Sequence, residues 1–432
     1  MSLTNKGVSG AKWTTLSSGC LAIVQMLKIS VLARFLETTD FGLMAIIVFV
    51  VNFLNLFTDL GLSSAILHKK EISTEQYSSL YWLNIILSIT IFVLIYATSP
   101  IISSFYNEPR LASLIPITGS GILLVALGKQ HKTVVQKKLG FKELALVDIF
   151  SSIMSLFLAI GLAVSGYGIY SLIFGTLFQQ GASNLYFLTK YHSKHRIMFS
   201  LDLRQTRNFL KIGGYQTGGQ IVNYFNRDID LLIIGKVLGS EALGAYNLAK
   251  QLVFRPMQIL NPILTRVAPS LLSKLQDDLP SLRKAYLRIV NATATINIPV
   301  YLVIILFTTP IVTILYGHDY SSIYSVVKIL AIYMIIRSIG NPIGSLAIAT
   351  GRTDLEFHWN LIVLATMPLA VWAGSPFDLI GIAWAILLCR IALFVPSWYF
   401  LVWKLIRVPL KEYLKSLIPE FRFYYNLLTK KN

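Results

Sequence analysis

From Ile149 to Thr189 the chain runs 41 residues without a charged side chain, broken only by Ser165-Gly166-Tyr167-Gly168. A helix needs roughly 20 apolar residues to cross a hydrocarbon core of about 30 Å, so this run holds two crossings joined by a tight turn. In lipid the backbone must satisfy its own hydrogen bonds, which makes each crossing a helix. The same design recurs along the sequence. It predicts an all-α, polytopic membrane protein.

Composition agrees. Only 13% of the 432 residues are charged and 55% are hydrophobic, where a soluble domain carries about a quarter charged residues. A net charge of +18 would point to nucleic acid in a soluble protein. Here the basic residues cluster between apolar spans, so the excess is topogenic and no nucleic-acid partner is expected. Cys20 and Cys389 sit in apolar runs, which leaves no disulfide framework and no metal-ligand spacing. Lys6 and Lys12 precede an apolar run, as in a signal peptide. That run continues to Ala33 and another span follows at once, so an uncleaved first helix is expected.

Twelve spans are expected, at about 12–35, 41–65, 79–105, 113–128, 144–165, 167–189, 209–234, 242–265, 288–315, 323–350, 357–375 and 379–403. On one side of them, segments 1–12, 66–78, 128–143, 190–211, 266–288, 351–356 and 404–432 hold 28 Lys and Arg. The opposite turns hold Arg34, Arg110 and Lys236. The positive-inside rule then places both termini in the cytoplasm. Outward turns this short leave no room for a catalytic domain. Residues 190–208 form a basic linker, expected to lie along the membrane surface as an amphipathic segment. It separates an N-terminal six-helix lobe, 1–189, from a C-terminal one, 209–403, with a basic cytoplasmic tail at 404–432.

The lobes read as repeats. Arg34 to Gly42 (RFLETTDFG) aligns with Lys236 to Gly244 (KVLGSEALG) at an offset of 202. Thr98-Ser99-Pro100-Ile101 and Tyr106 align with Thr308-Thr309-Pro310-Ile311 and Tyr316 at 210, and Gly168-Ile169 with Gly381-Ile382 at 213. Three matches in order indicate one six-helix unit used twice; chance similarity between apolar segments is the alternative. Six is even, so the copies share a topology and an axis along the membrane normal, a geometry suited to alternating access.

Polar residues fall at helical spacing. Gln216, Gln220, Asn223, Arg227 and Asp230 share one face. Subtracting 202 gives Thr14, Ser18, Leu21, Gln25 and Lys28. Ionisable groups at membrane depth cost several kcal/mol unless they face protein or water, so they pair or line a pathway. Lys28 and Asp230, equivalent in the repeat and opposite in charge, are expected either to face one another as a gate or to form a static ion pair. Asn52, Asn55 and Asp59 share a face of the second span, and Asp59 matches Asn261 at the same offset. Lys250, Arg255, Arg337 and Arg390 are further embedded cations. With Lys28 and Arg227 they exceed the buried carboxylates, as expected where an anionic substrate supplies the missing charge. For Lys250, Arg255 and Arg390, reaching out to an interface is an equal alternative.

Other signals are weak. Asp228-Ile229-Asp230 is a D-x-D, but two positions apart on a helix the carboxylates diverge. No Gly-rich phosphate loop is present, so nucleotide hydrolysis is not expected. His68, His131, His192 and His195 lie in basic loops without ligand spacing and read as solvated.

Leu32-Ala33-Arg34-Phe35-Leu36, Asp40-Phe41-Gly42, Asp59-Leu60-Gly61-Leu62, Asn226-Arg227-Asp228-Ile229-Asp230, Ile233 to Gly239 (IIGKVLG) and Pro269-Ser270-Leu271-Leu272 carry a family resemblance. The chain resembles the polysaccharide-exporter branch of the multidrug/oligosaccharidyl-lipid/polysaccharide (MOP) superfamily, closest to Wzx-type O-antigen and colanic acid flippases. The likeness runs from about Gly10 to Trp403. It implies a V-shaped, two-lobed transporter of the bacterial inner membrane that flips undecaprenyl-diphosphate-linked oligosaccharide to the periplasmic leaflet. Many relatives continue into two further helices, where this chain has Lys411 to Asn432.

The expected substrate contacts are the cations Lys28, Arg227, Lys250, Arg255 and Arg337. Gln25, Asn52, Asn55, Gln216, Gln220 and Asn223 are expected to line the cavity. Arg227 is expected to be held available for the diphosphate, since Asp228 projects about 100° away on the helix. No cofactor is expected; Asp59 and Asp230 are the candidates for proton or sodium coupling. Expected partners are the lipid-linked oligosaccharide, membrane lipids, and polysaccharide polymerase and assembly proteins. The rivals are an ion-coupled multidrug exporter, which needs an acidic or aromatic cavity, and a membrane glycosyltransferase or polymerase, which needs catalytic loops.

Overall fold

The computed structural model describes residues 3–59, 63, 66, 73–192, 197–198, 203–265 and 268–421. It divides into two compact units, Met1–Gly244 and Ala245–Asn432. The first holds α1 (Leu3–Leu32), α2 (Thr38–Asp59), α3 (Thr74–Tyr106), α4 (Leu111–Gly119), α5 (Gly121–Lys137), α6 (Phe141–Val164), α7 (Ile169–His192) and α8 (Leu203–Val237). Helix α9 (Gly239–Thr265) carries the chain into the second unit. There follow α10 (Ala268–Ser273), α11 (Leu279–Leu306), α12 (Thr308–Tyr316), a 3-10 turn at His318–Ile323, α13 (Tyr324–Ile339), α14 (Ile343–Ala349), α15 (Thr353–Gly374) and α16 (Asp378–Ala392). The segment Phe394–Ile406 includes a π-helical stretch, Trp398–Trp403, and Leu410–Ser416 is the last helix. No strand occurs among the described residues.

Sequence chemistry sets the helix ends. Ser73 caps α3 by accepting the Gln76 amide at 3.2 Å, satisfying one of the orphan donors of the first turn. At the other end Asn107 is left-handed (φ 55°), with Asn107 N–H donating to Ser104 O and Glu108 N–H to Ser103 O. That is a Schellman closure. The turn at 165–168 repeats it. Gly166 has φ 81°, and the amides of Gly166 and Tyr167 donate to Ala163 and Leu162. Asp278 caps α11 through the Ser281 amide, and hydrogen bonding from Ser281 holds its carboxyl below the usual range.

Eight segments of the described residues are long and apolar enough to span a membrane, where the sequence led us to expect twelve. Part of the difference is fusion. The 40-residue stretch Thr353–Ala392 contains α15 and α16, which pack together where a Cβ on Gly374 would lie 2.7 Å from Gly381 O. The rest is polarity: α7, α8 and α9 are not among the eight, and they carry amides and charges such as Gln179, Arg227 and Lys250. The segment 128–143, expected as a basic loop, is largely helix. Helix α5 runs on to Lys137 and closes through Leu139 at φ 59°.

Inside the first unit, α6 presents Ser151, Ser155, Ala159 and Ala163 at four-residue spacing, all buried. Small side chains at that spacing let neighbouring backbones approach, and α1 and α7 pack against this helix. Helix α8 packs on α2 through aromatics: Phe49 and Tyr224 have ring centroids 5.0 Å apart, and Tyr224 donates to Phe49 O at 2.8 Å. The packing boundary thus falls one helix beyond the basic linker. Two glycines matched by the sequence repeat meet at the start of α2 and α9. A Cβ on Gly42 would lie 1.8 Å from Ser240 O, and one on Gly244 would lie 1.9 Å from Thr38 O. The contact is reciprocal, because Thr38 and Ser240 are also 202 residues apart. Of the linker, residues 190–192 end α7 and 203–208 begin α8, and between them Ile197 and Met198 are described; Met198 is tied to α3 through Ser78 and Trp82. Residues 193–196, 199–202 and the tail beyond Phe421 lie outside the described residues.

In the second unit the core is formed by Leu272, Leu282, Tyr286, Val290, Leu346, Val402 and Ile406, with Tyr413 of the last helix.

Candidate functional site

Helices α2, α5, α6 and α7 line an open polar cavity of ≈ 700 Å³ within the first unit. Helix α5 turns one face to it, with Val125, Lys129, Lys132, Thr133 and Gln136 at helical spacing. From α7 come Thr176, Gln179, Gln180, Ser183 and Asn184. Asn55 of α2, Leu144 and Asp148 of α6, and Ser63 complete the wall. Glycines bring α5 onto α7: a Cβ on Gly128 would lie 2.3 Å from Asn184 O, and one on Gly121 2.1 Å from Gln180 Oε1.

The charges here are paired. Lys129 Nζ lies 3.3 Å from Asp59 Oδ2 and Lys132 Nζ 3.1 Å from Asp148 Oδ1. Asp59 also accepts from the amide and hydroxyl of Ser63, at 2.9 and 3.0 Å. Asp148 accepts from Ser183 Oγ at 2.6 Å. Gln180 Oε1 and Asn184 Oδ1 are buried with no hydrogen-bond partner. Behind the cavity, His131 is fully buried, its Nδ1 2.8 Å from the Tyr77 hydroxyl. The solvated loop histidine expected from sequence is a core residue.

Of the residues expected from sequence, Asn55 and Asp59 belong to this site. Gln25 of α1 and Asn52 of α2 are not among its lining residues; Asn52 is exposed. The expected Lys28–Asp230 pair is not made. Lys28 is 3% exposed and donates to Ser155 Oγ at 3.0 Å, which in turn donates to Gly175 O at 2.6 Å. The small residues of α6 and Gly175 leave room there for the long side chain. Asp230 accepts from the Leu231 amide at 3.0 Å.

Arg227 also departs from expectation. Its Nε donates to Asp228 Oδ2 at 2.7 Å, and its guanidinium lies 5.3 Å from the Tyr224 ring centroid. Adjacent Cβ atoms diverge on a helix, but an arginine stem is long enough to bend back. Gln220, Asn223 and Arg227 remain an exposed stripe of α8; the Gln216 side chain lies outside the described residues.

The second unit gathers two of the other cations. Lys250 Nζ and the Arg337 guanidinium lie 5.4 and 5.0 Å from the Phe254 ring centroid, and Arg337 donates to the Tyr333 hydroxyl at 2.6 Å. Arg255 is half-buried. Arg390 lies beside the Gly340 backbone. Below this cluster Asn297 donates to Asn261 Oδ1 at 3.1 Å, and Asn261 to Ser338 O at 3.4 Å.

Sequence reasoning missed Lys129, Lys132, Gln136, Gln179 and Ser183. The signal was present: 129, 132 and 136 share a helical face, as do 176, 179, 180 and 183. Counting 128–143 as a loop hid the first set. Searching only for charge within 149–189 hid the second.

Residues 31–325 match the family model described as polysaccharide biosynthesis protein. The chain belongs to that family. Within it, this member is 31% identical over 422 residues to the teichuronic acid biosynthesis protein TuaB of Bacillus subtilis, covering 97% of this chain and 87% of TuaB. It is 29% identical to the lipopolysaccharide biosynthesis protein WzxC of Escherichia coli, covering 99% of this chain and 87% of WzxC. Its fold matches the lipid II flippase MurJ in an inward closed conformation, with a TM-score of 0.75, 18% identity, and coverage of 98% and 93% of the two chains. The chain is therefore a multi-pass membrane protein of the polysaccharide biosynthesis family, with a transporter fold.

Proposed function

We propose that the protein flips lipid-linked oligosaccharide units, carried on undecaprenyl diphosphate, from the cytoplasmic to the periplasmic leaflet of a bacterial inner membrane. The units serve assembly of an O-antigen, capsule or exopolysaccharide. What carries the reading is near-full-length relatedness to TuaB and WzxC, both named for polysaccharide biosynthesis, combined with the fold of a lipid II flippase. The cavity supports it. It is lined by amides, hydroxyls and paired ions, where the drug-exporting rival needs acidic or aromatic walls.

In this reading both termini are cytoplasmic, and the ends of α2 and α5 and the start of α6 lie toward the cytoplasm, where the glycan is loaded. The prenyl tail stays in lipid. The diphosphate engages membrane-embedded arginines, for which planar bidentate donors suit phosphate oxygens. For Arg227 that requires exchanging Asp228 for the ligand. Proton or sodium coupling through Asp59 or Asp230 drives return, and a polymerase consumes the product. The test is deletion of the gene followed by lipid extraction. Lipid-linked oligosaccharide should accumulate in a form shielded from periplasmic probes. Unchanged lipid pools, with polysaccharide export intact, would contradict the reading.

A further inference from the structure

We infer that the first unit's cavity seats uncharged sugar rings of the carried glycan, with its two lysines acting as aspartate-neutralised hydroxyl donors and not as diphosphate ligands. The inference rests on the reading of the chain as a carrier of lipid-linked glycans and assigns one part of that ligand to one place.

The charge balance decides first. Lys129 and Lys132 would attract phosphate if they stood alone. Each instead has a carboxylate within 3.3 Å, so a diphosphate entering here would meet Asp59 and Asp148 as well as the lysines. Like charges brought this close oppose each other. A neutral ligand meets no such penalty.

Hydrogen-bonding capacity points the same way. An ammonium that gives one N–H to a carboxylate keeps two, and a carboxylate holding two or three donors keeps lone pairs. Beside them stand the amides Asn55, Gln136 and Gln179 and the hydroxyls Thr133 and Thr176. The three amides both donate and accept, while the threonine hydroxyls, which donate to Lys129 O and Leu172 O of their own helices, keep acceptor lone pairs. Neighbouring hydroxyls on a pyranose need such mixed partners at short spacing. Asn184 is 4% exposed, and its Oδ1 has no donor in the protein; Gln180 Oε1 is in the same state. A buried acceptor without a donor is costly, and either side chain turned toward the cavity would take one from a sugar hydroxyl.

Size agrees. A volume of ≈ 700 Å³ lies within the roughly 300–1,000 Å³ of small-molecule sites, enough for a short oligosaccharide.

The experiment uses the full chain in nanodiscs, with Cys20→Ala and Cys389→Ala as background and Gln179→Cys as the reporter, labelled by a soluble maleimide. A panel of neutral disaccharides, N,N′-diacetylchitobiose, lactose and maltose, is compared with sodium pyrophosphate at equal concentration and ionic strength. At least one disaccharide should slow labelling about threefold, as expected near twice its dissociation constant, while pyrophosphate leaves the rate unchanged. Gln136→Cys is the second reporter should Gln179→Cys fail to fold. Protection by pyrophosphate alone would make the cavity an anion site. Protection by none of the probes would make it a hydrated vestibule only. Either result overturns the inference, and neither touches the lipid-extraction result that tests the carrier reading.

Discussion

Asp59 and Asn261 stand 202 residues apart, at matched places in the two halves of the sequence, and the molecule uses them oppositely. Asp59 closes α2 in the first unit. Its side chain keeps a third of its exposure and pairs with Lys129 at the edge of a polar cavity. Asn261 lies near the end of α9 in the second unit, 3% exposed, bonded to Asn297 and to the Ser338 backbone. A carboxylate persists where a cavity and a lysine share its cost. Where the side chain is closed in by packing, an uncharged amide of nearly the same shape replaces it. The difference marks the cavity edge at Asp59 as a place that keeps a carboxylate partly exposed and the surroundings of Asn261 as one that does not.

The largest effect should come from forcing the second unit to resemble the first. Asn261→Asp places a carboxylate deep in the packing and sets an acceptor against the Ser338 carbonyl in place of the amide donor. It should cost about 3 kcal/mol, read as a lowered melting temperature and loss of monodisperse protein in size-exclusion chromatography. Wild-type stability in this variant would mean that the second unit is hydrated at Asn261, and the contrast would fail.

Next comes Arg337→Met. The cation over Phe254 and its bond to Tyr333 belong to a packed aromatic cluster, so removal should cost about 1–2 kcal/mol. Lys28→Met offers the sharper partner experiment. The Lys28 ammonium is buried on a hydroxyl, and replacing it by an apolar side chain of similar length should leave stability unchanged or raised. A fall in melting temperature larger than that of Arg337→Met would show that the Lys28 charge supports the fold.

Asp59→Asn should cost less stability than Arg337→Met. The pair it breaks is about a quarter to a third exposed on each side, so the stability change should stay below about 1 kcal/mol. Transport should respond more than stability does, measured as polysaccharide export at matched protein abundance. A stability loss as large as that of Asn261→Asp would erase the distinction between the units.

The all-helical class was legible because charge-free runs of membrane length admit few other solutions, and the turn at 165–168 was legible because its glycines permit left-handed backbone. The repeat led to Gly42 and Gly244, whose reciprocal contact no single half would suggest. Facing relationships were not legible. Lys28 and Asp230 occupy matched positions, yet rotation of α1 toward the small residues of α6 takes the lysine to Ser155. Arg227 reached Asp228 because side-chain length defeats an argument made from Cβ directions. The cavity escaped for a different reason. Its lysines lie near the end of a helix, where charge counting reads a loop, and its amides lie in a run whose lack of charge drew attention from its polarity.

The central claim is that this chain moves a lipid-linked glycan across a bilayer. Purified protein reconstituted into vesicles with a fluorescent undecaprenyl-diphosphate oligosaccharide tests it most directly, the probe in the outer leaflet being destroyed by an added impermeant quencher. Protein-containing vesicles should lose nearly all of the signal, since inner-leaflet lipid is continually carried out, while protein-free vesicles lose about half, the share in one leaflet of a bilayer. A loss of about half in both, with folded protein present, would contradict the account.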